Sequence, residues 1–245
     1  MEKPAPSILK ADHLKKIYRK RAVVNGASFS LQQGEIVGLL GANGAGKSTS
    51  FYMLVGFIEP DEGKILFNDQ DITKLAMHER ASLGISYLPQ EASIFRKMTV
   101  ENNLLAILET RSLTQEQRSK KLEKLLDDFS IQHIRKNYGY ALSGGERRRV
   151  EIARCLATDP IFLLLDEPFA GVDPLVVLDI QKMIRYLVTL NIGILINDHN
   201  IRETLGITQR AYIMNKGEII ISGTPKEIIN NELAKKVYFG ENFSF

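Results

Sequence analysis

Between Gly38 and Phe51 the chain reads GLLGANGAGKSTSF, four glycines around one turn followed by a lysine and two hydroxyl residues. The apolar run before it, EIVGLLG, has the continuous character of a strand buried on both faces, and a helical pattern follows. A glycine-rich turn between such elements lets successive backbone N–H groups curl around an anion, and the helix N-terminus adds its partial positive charge. The residues Gly41, Ala42, Asn43, Gly44, Ala45, Gly46, Lys47 and Ser48 fit the phosphate-binding pattern G-x-x-x-x-G-K-[ST], with Thr49 next. In that reading Lys47 contacts the β- and γ-phosphates of ATP, and the Ser48 hydroxyl joins the shell of Mg²⁺. Without the strand before and the helix after, the same residues would be an ordinary glycine-rich turn.

A second apolar strand, FLLLDEP, ends in Asp166 and Glu167, with Pro168 stopping it. Carboxylates at the carboxyl end of a parallel strand stand at the crevice where such sheets bind ligands. Asp166 is expected to hold Mg²⁺ through its water shell, and Glu167 to polarise the attacking water as a general base. A third element, LSGGERRRVEIARCL, offers Ser143 as an N-cap, with Gly144 and Gly145 allowing close backbone approach. Its helix is a second anion-binding terminus. One nucleotide already has its phosphate cradle, so this second site suggests that two copies share their sites.

The remaining pattern predicts an α/β fold with a mainly parallel sheet. SILKADHL, ASFSLQQGE and EGKILFND read as strands of an N-terminal antiparallel part, and AYIMNKGEIIISG as a hairpin turning at Asn215 to Gly217. Helical periodicity begins at TVENNLLAILETR, and Thr114 with Gln117 forms a capping box ahead of Leu122, Leu125, Leu126 and Phe129 on one face. A single domain over 1–245 follows, with a core of 1–91 and 157–245 and a helical insert of 92–156. The net charge of +3 over 245 residues gives no general argument for nucleic acid. The clusters KKIYRKR and RRR read better as solvated or phosphate-facing charge than as a nucleic-acid surface. Cys155 is a lone cysteine and reads as a small core residue, suited to a reducing cytoplasm. With neither a signal-peptide pattern nor a membrane-length apolar run, the chain reads as soluble by itself.

The motifs GANGAGKST, Gln90, LSGGE, FLLLDEP, GVDP and His199, in this order, resemble the ATP-binding subunits of ABC transporters. The resemblance implies a P-loop NTPase core of the ABC ATPase type and assigns further residues. Tyr18 matches the aromatic residue that stacks on adenine. Gln90 matches the glutamine that reaches Mg²⁺ and the attacking water, linking the site to the helical insert. Asp173 belongs to the loop that crosses the dimer interface, and His199 is the switch histidine that contacts the γ-phosphate. Three positions depart from the commonest pattern: Ala42 for a frequent proline, Glu146 for the usual glutamine, and Asn197 for a small hydroxyl residue. Asn197 is expected to alter hydrogen bonding near the switch.

GISYLPQEASIFRKMTVENNL, LLDEPFAGVDP, DHNIRETL and the ending VYFGENFSF resemble the branch of that family that powers lipopolysaccharide export. The ATPases of branched-chain amino-acid importers share part of this neighbourhood, and a soluble ABC ATPase uncoupled from transport is a further alternative. The exporter resemblance implies a homodimer on the cytoplasmic face of the inner membrane, beneath a heterodimer of the membrane proteins LptF and LptG, with LptC regulating. Phe95 and Arg96, an aromatic beside a cation just after the Gln90 loop, suit docking of a short cytoplasmic helix. The other possibility is that Phe95 packs inside the insert.

Overall fold

The computed structural model describes residues 5–239, so the GENFSF end of the sequence lies outside the described residues. The strands are β1 (Ile8–Tyr18), β2 (Arg21–Gln32), β3 (Ile36–Leu40), β4 (Glu62–Phe67), β5 (Gln70–Asp71), β6 (Ile85–Leu88), β7 (Phe162–Asp166), β8 (Gly193–Asn197), β9 (Arg210–Asn215) and β10 (Glu218–Gly223). The helices are α1 (Lys47–Val55), α2 (Met77–Ser82), α3 (Val100–Leu108), α4 (Gln115–Asp128), α5 (Gly144–Leu156), α6 (Pro174–Thr189), α7 (Ile201–Leu205), α8 (Pro225–Asn230) and α9 (Glu232–Ala234). One sheet is antiparallel in the order β2-β1-β4-β5, and the other runs β10-β9-β3-β8-β7-β6. In the larger sheet β9, β3, β8, β7 and β6 are parallel, and only the β9–β10 hairpin is antiparallel.

The continuous apolar runs of β3, β7 and β8 are buried at every position because both faces of the sheet are covered. Alternation along each strand divides the side chains between two cores. Phe162, Leu164 and Leu195, with Val37 and Leu39, pack against α1 and the antiparallel sheet. Leu163, Leu165, Ile194 and Ile196 point the other way, into one apolar cluster with α3, α4, α5 and α6. The helices between β6 and β7 thus share a core with the sheet. Thr99 caps α3, and Thr114 with Gln117 makes the expected capping box on α4, whose Leu122, Leu125 and Leu126 are buried. Thr224 and Glu227 form another box, with Pro225 in the first turn of α8.

At the tip of the first hairpin, Arg19 and Lys20 take φ of 48° and 65°, the two-residue turn that suits the right-handed twist of β1 and β2. Cys155 is buried, and burial pushes its thiol up to about 11, which leaves it protonated and inert as expected for a core residue.

One buried charge fixes the far end of α1. Arg80 is fully buried, and its guanidinium donates to the carbonyls of Met53 at 2.6 Å and Leu54 at 2.7 Å, Thr73 at 2.8 Å and Leu75 at 2.9 Å. Two of these are carbonyls of the last turn of α1, where Met53 otherwise accepts only the long 3.3 Å bond from the Gly56 N–H among the described residues. Desolvation lowers the Arg80 pKa, and the fork is held by backbone dipoles. Arg80→Ala is expected to cost about 3 kcal/mol or more in urea unfolding, since several buried acceptors lose their donor together. Arg80→Lys should recover little, because an ammonium cannot span the same acceptors; a loss under about 1 kcal/mol for the alanine variant would mean that water replaces the guanidinium.

Candidate active site

The glycine-rich loop turns between the end of β3 and the start of α1, and neighbouring backbone dictates two of its glycines. A Cβ on Gly41 would stand 2.2 Å from the Met214 carbonyl oxygen, and one on Gly46 would stand 2.6 Å from that of Val23. Both have positive φ, 155° and 105°. Lys47 opens α1 and is buried, its Nζ donating to the carbonyls of Gly41 at 2.7 Å and Ala42 at 3.1 Å. Burial lowers its pKa, opposed by the more distant charges of Glu167, Asp198 and Asp166. A desolvated cation held only by carbonyl dipoles at a helix N-terminus fits a phosphate. The adjoining cleft of about 150 Å³ is lined by Asn43, Gly44, Gly46, Lys47, Ser48 and Thr49, with Val23 and Glu167. Ser48 is exposed there, its hydroxyl available to a cation.

Across the cleft stand the ends of β7 and β8. Asp166 is buried and pairs in register with Asn197, whose Nδ2 donates to its Oδ1 at 2.7 Å. The Tyr87 hydroxyl donates to Oδ2 at 3.4 Å. Burial raises the Asp166 pKa, while the bonds from Asn197, Tyr52 and Tyr87 oppose that rise. Asn197, singled out as a departure, therefore holds the carboxylate expected to serve Mg²⁺. Asp198 is also buried and accepts the N–H groups of Phe169 at 3.1 Å and Asn200 at 2.8 Å, and desolvation raises its pKa too.

Glu167 has a φ of 43°, in the left-handed region, and its N–H donates to the Asn197 carbonyl at 2.7 Å. Its carboxylate thereby turns away from Asp166 and into reach of two distant segments. Gln90 Nε2 donates to Glu167 Oε2 at 2.9 Å, and His199 Nδ1 lies 3.3 Å from the same oxygen. Two residues far apart in the sequence, Gln90 and His199, thus converge on one oxygen of Glu167.

Ser143 caps α5 as expected, and Glu146 completes a capping box, accepting the Ser143 N–H at 2.8 Å and its hydroxyl at 2.7 Å. Those bonds lower the Glu146 pKa. The RRR run is not uniformly solvated: Arg148 is buried, donating to the Pro89 carbonyl at 3.1 Å and pairing with Glu151 at 3.4 Å. Glu151 in turn accepts the N–H groups of Ser93 at 2.8 Å and Ile94 at 3.3 Å. The Gln90 loop is thus fastened to α5. The sequence signal for this was an opposite-charge pair three residues apart on the helix face that continues to Cys155.

A second cleft of about 460 Å³ is lined by Gln90, Ser143, Gly144, Gly145, Glu167 and Asp173, among others. The two clefts adjoin at Glu167, which lines both. Asp173 caps α6 through the Leu175 N–H at 2.9 Å, beside the exposed Leu175 and Leu178. Tyr18 ends β1, 44% exposed, with Lys16 Nζ 5.7 Å from its ring centroid, and it does not line the Lys47 cleft. Phe95 is 46% exposed, so it does not pack inside the insert; the Arg154 guanidinium lies 4.8 Å from its ring, and Arg96 is exposed beside it.

A phosphate cradle after β3, carboxylates after β7 and a histidine after β8 define an ATP-binding cassette. The chain belongs to the ABC transporter family, whose profile matches residues 24–170, and it is an ABC ATPase. It is 57% identical to the lipopolysaccharide export system ATP-binding protein LptB of Haemophilus influenzae over 238 residues, 97% of this chain and 99% of that protein. LptB of Escherichia coli K12 is 54% identical over 236 residues, 96% and 98% of the two chains. Among solved structures, the ADP conformation of MJ1267, an ATP-binding cassette of an ABC transporter, superposes with a TM-score of 0.85 at 29% identity, covering 96% of this chain and 99% of that one.

Asp166→Asn removes a buried charge and keeps the shape. Because burial raises the folded-state pKa above 3.8, wild-type stability falls as pH rises from 3.8 through that value and stays reduced at neutral pH. Without metal or nucleotide, the variant is expected to melt a few degrees higher at pH 7 and to lose Mg²⁺-dependent hydrolysis, with the gain in Tm vanishing in acid. A lower Tm at pH 7 would show that the hydrogen bonds of the ionised carboxylate outweigh its desolvation.

Proposed function

We propose that this ABC ATPase powers lipopolysaccharide export, extracting the lipid from the inner membrane toward the outer one. The observation that carries the reading is its 57% identity to an LptB over nearly the whole of both chains. In this reading two copies act beneath the membrane proteins LptF and LptG, with LptC regulating, on the cytoplasmic face of the inner membrane. Among the described residues no helix is long and apolar enough to cross a membrane, in keeping with a peripheral subunit.

Lys47 and the loop N–H groups bind the β- and γ-phosphates of ATP, exchanging the lysine's carbonyl partners for phosphate oxygens. Ser48, Asp166 and Gln90 would hold Mg²⁺, and the ion would supply charge neutralisation at the phosphates. Glu167 takes the proton of the water whose oxygen attacks the γ-phosphorus, and ADP leaves with the electron pair of the broken bond. His199 contacts the γ-phosphate, so nucleotide entry redistributes the bonds that Gln90 and His199 make to Glu167. Tyr18 stacks on adenine. Ser143, Gly144 and Gly145 of one copy close over ATP on the other, with Asp173 and the apolar start of α6 at the interface; the exposure of Leu175 and Leu178 supports an interface there.

Glu167→Gln keeps the shape and removes the base, so the chemical step should slow roughly a hundredfold or more while ATP still binds. Size-exclusion chromatography with light scattering should then find a dimer with ATP and Mg²⁺ and a monomer with ADP. Normal turnover would refute the role of Glu167. An inactive variant that binds ATP yet stays monomeric would refute shared sites in the isolated subunit.

Phe95 and Arg96 are the docking residues for a short cytoplasmic helix of the membrane subunits. Phe95→Ala should leave ATP binding and Tm near wild type but abolish recovery of the endogenous membrane proteins with the tagged chain. Those proteins, identified from wild-type pull-downs, also test the cargo: amino-acid importer subunits in place of lipopolysaccharide exporter subunits would overturn the export reading.

A further inference from the structure

Between α1, β6 and the Gln90 loop lies a groove of about 530 Å³ whose lining includes Tyr52, Phe57, Met77, Tyr87, Gln90 and Arg154. Its wall is also the back of the active site. Tyr87 spans the two: its ring lines the groove, while its hydroxyl donates to Asp166 Oδ2 at 3.4 Å. The ring is held between fully buried Phe51, at a centroid distance of 6.0 Å, and exposed Phe57, edge-on at 5.4 Å. Phe57 also meets the ring of Tyr52 edge-on at 5.8 Å, and the Tyr52 hydroxyl interacts with both Tyr87 and Asp166. The other carboxylate oxygen is fixed by Asn197 on β8, so Tyr87 and Tyr52 supply the hold from the groove side.

We propose that Tyr87, supported by Tyr52, is a positioning residue for Asp166, and that Phe57, Tyr52 and Tyr87 connect the groove to the Mg²⁺ shell by a route that does not include Gln90. The inference rests on the reading of Asp166 as the Mg²⁺ carboxylate. The Tyr87 hydroxyl bond is long for an O–H···O contact, so a small displacement of the ring changes it from a weak bond to a strong one or none. Because Phe57 meets both tyrosine rings edge to face, a displacement of Phe57 moves the rings that carry the two hydroxyls. The Gln90 route acts on Glu167 and the water, whereas this one acts on the carboxylate beneath the metal.

The chain contains no tryptophan, so Phe57→Trp introduces a single fluorophore into the groove. The variant is saturated with a non-hydrolysable ATP analogue, and Mn²⁺ is titrated by electron paramagnetic resonance while tryptophan emission is followed. Mn²⁺ binding should change the emission. Adding Tyr87→Phe, which keeps the ring, should abolish that change and weaken Mn²⁺ affinity about threefold to tenfold, the low range for loss of a supporting bond because this one is long. Tyr52→Phe should act in the same direction and less. Analogue affinity without metal, and Tm, should stay near those of the parent.

Unchanged Mn²⁺ affinity and unchanged emission response in both tyrosine variants would overturn the proposal. Weakened Mn²⁺ binding with the emission response intact would overturn the connection to the groove. Asp166→Asn separates the underlying reading: if it leaves Mn²⁺ affinity unaltered, Asp166 is not the metal carboxylate and the proposal falls with it.

Discussion

The buried ammonium of Lys47 is the constraint around which the rest of the site is arranged. It sits at the N-terminus of α1, where among the described residues it donates to the carbonyls of Gly41 and Ala42, with the Glu167, Asp198 and Asp166 carboxylates acting on it from a distance. A cation desolvated in this way favours an anion that can replace the carbonyls, and a phosphate does so with several oxygens at once. The strand order creates the opposite wall. Because β8 lies between β3 and β7, the loop after β3 and the carboxylates after β7 face each other across the end of β8, where Asn197, Asp198 and His199 stand. Charge of one sign is thus held on one side of the crevice and charge of the other on the far side, at the carboxyl ends of parallel strands.

Glu167 converts that static arrangement into a connected one. Its left-handed backbone turns the carboxylate toward Gln90 and His199, and the Gln90 loop is tied through Pro89, Ser93 and Ile94 to Arg148 and Glu151 of α5. The helix begins at Gly144, one turn from Arg148, so the fastening of the Gln90 loop lies next to the cap at Ser143. Buried bonds to backbone groups are costly to break singly, which favours movement of the loop and helix together.

Much of this was legible in the sequence because local pattern and tertiary role agree there. The unbroken apolar runs of β3 and β7 name buried strands, the capping box at Thr114 names a helix start, and the glycine loop names its own ligand class. What was not legible is burial of polar side chains, since Arg80, Arg148 and Glu151 look like surface residues until the topology brings carbonyls and amides to them. Tyr18 shows the converse. Its motif position is clear from sequence, yet its ring stands beside Lys16 at the end of β1 and outside the loop cleft, because the hairpin directs β2, through Val23, to the cleft edge.

Asn197 shows how a departure from a family pattern can be reasoned from its chemistry. A serine or threonine hydroxyl there could donate to Asp166 and accept from elsewhere with one rotating oxygen, whereas an amide divides these functions between two fixed ends. Its Nδ2 serves Asp166 at 2.7 Å, and its buried Oδ1 finds no partner among the described residues. An unsatisfied buried acceptor is destabilising, so the compensating gain must lie in the bond that the amide does make. That bond fixes one oxygen of a carboxylate whose groove side meets the long contact from Tyr87 and the hydroxyl of Tyr52. Rigidity is therefore concentrated on the β8 side of Asp166 and compliance on the groove side, and a carboxylate held in this way responds to the groove by pivoting about Oδ1 rather than by moving as a whole.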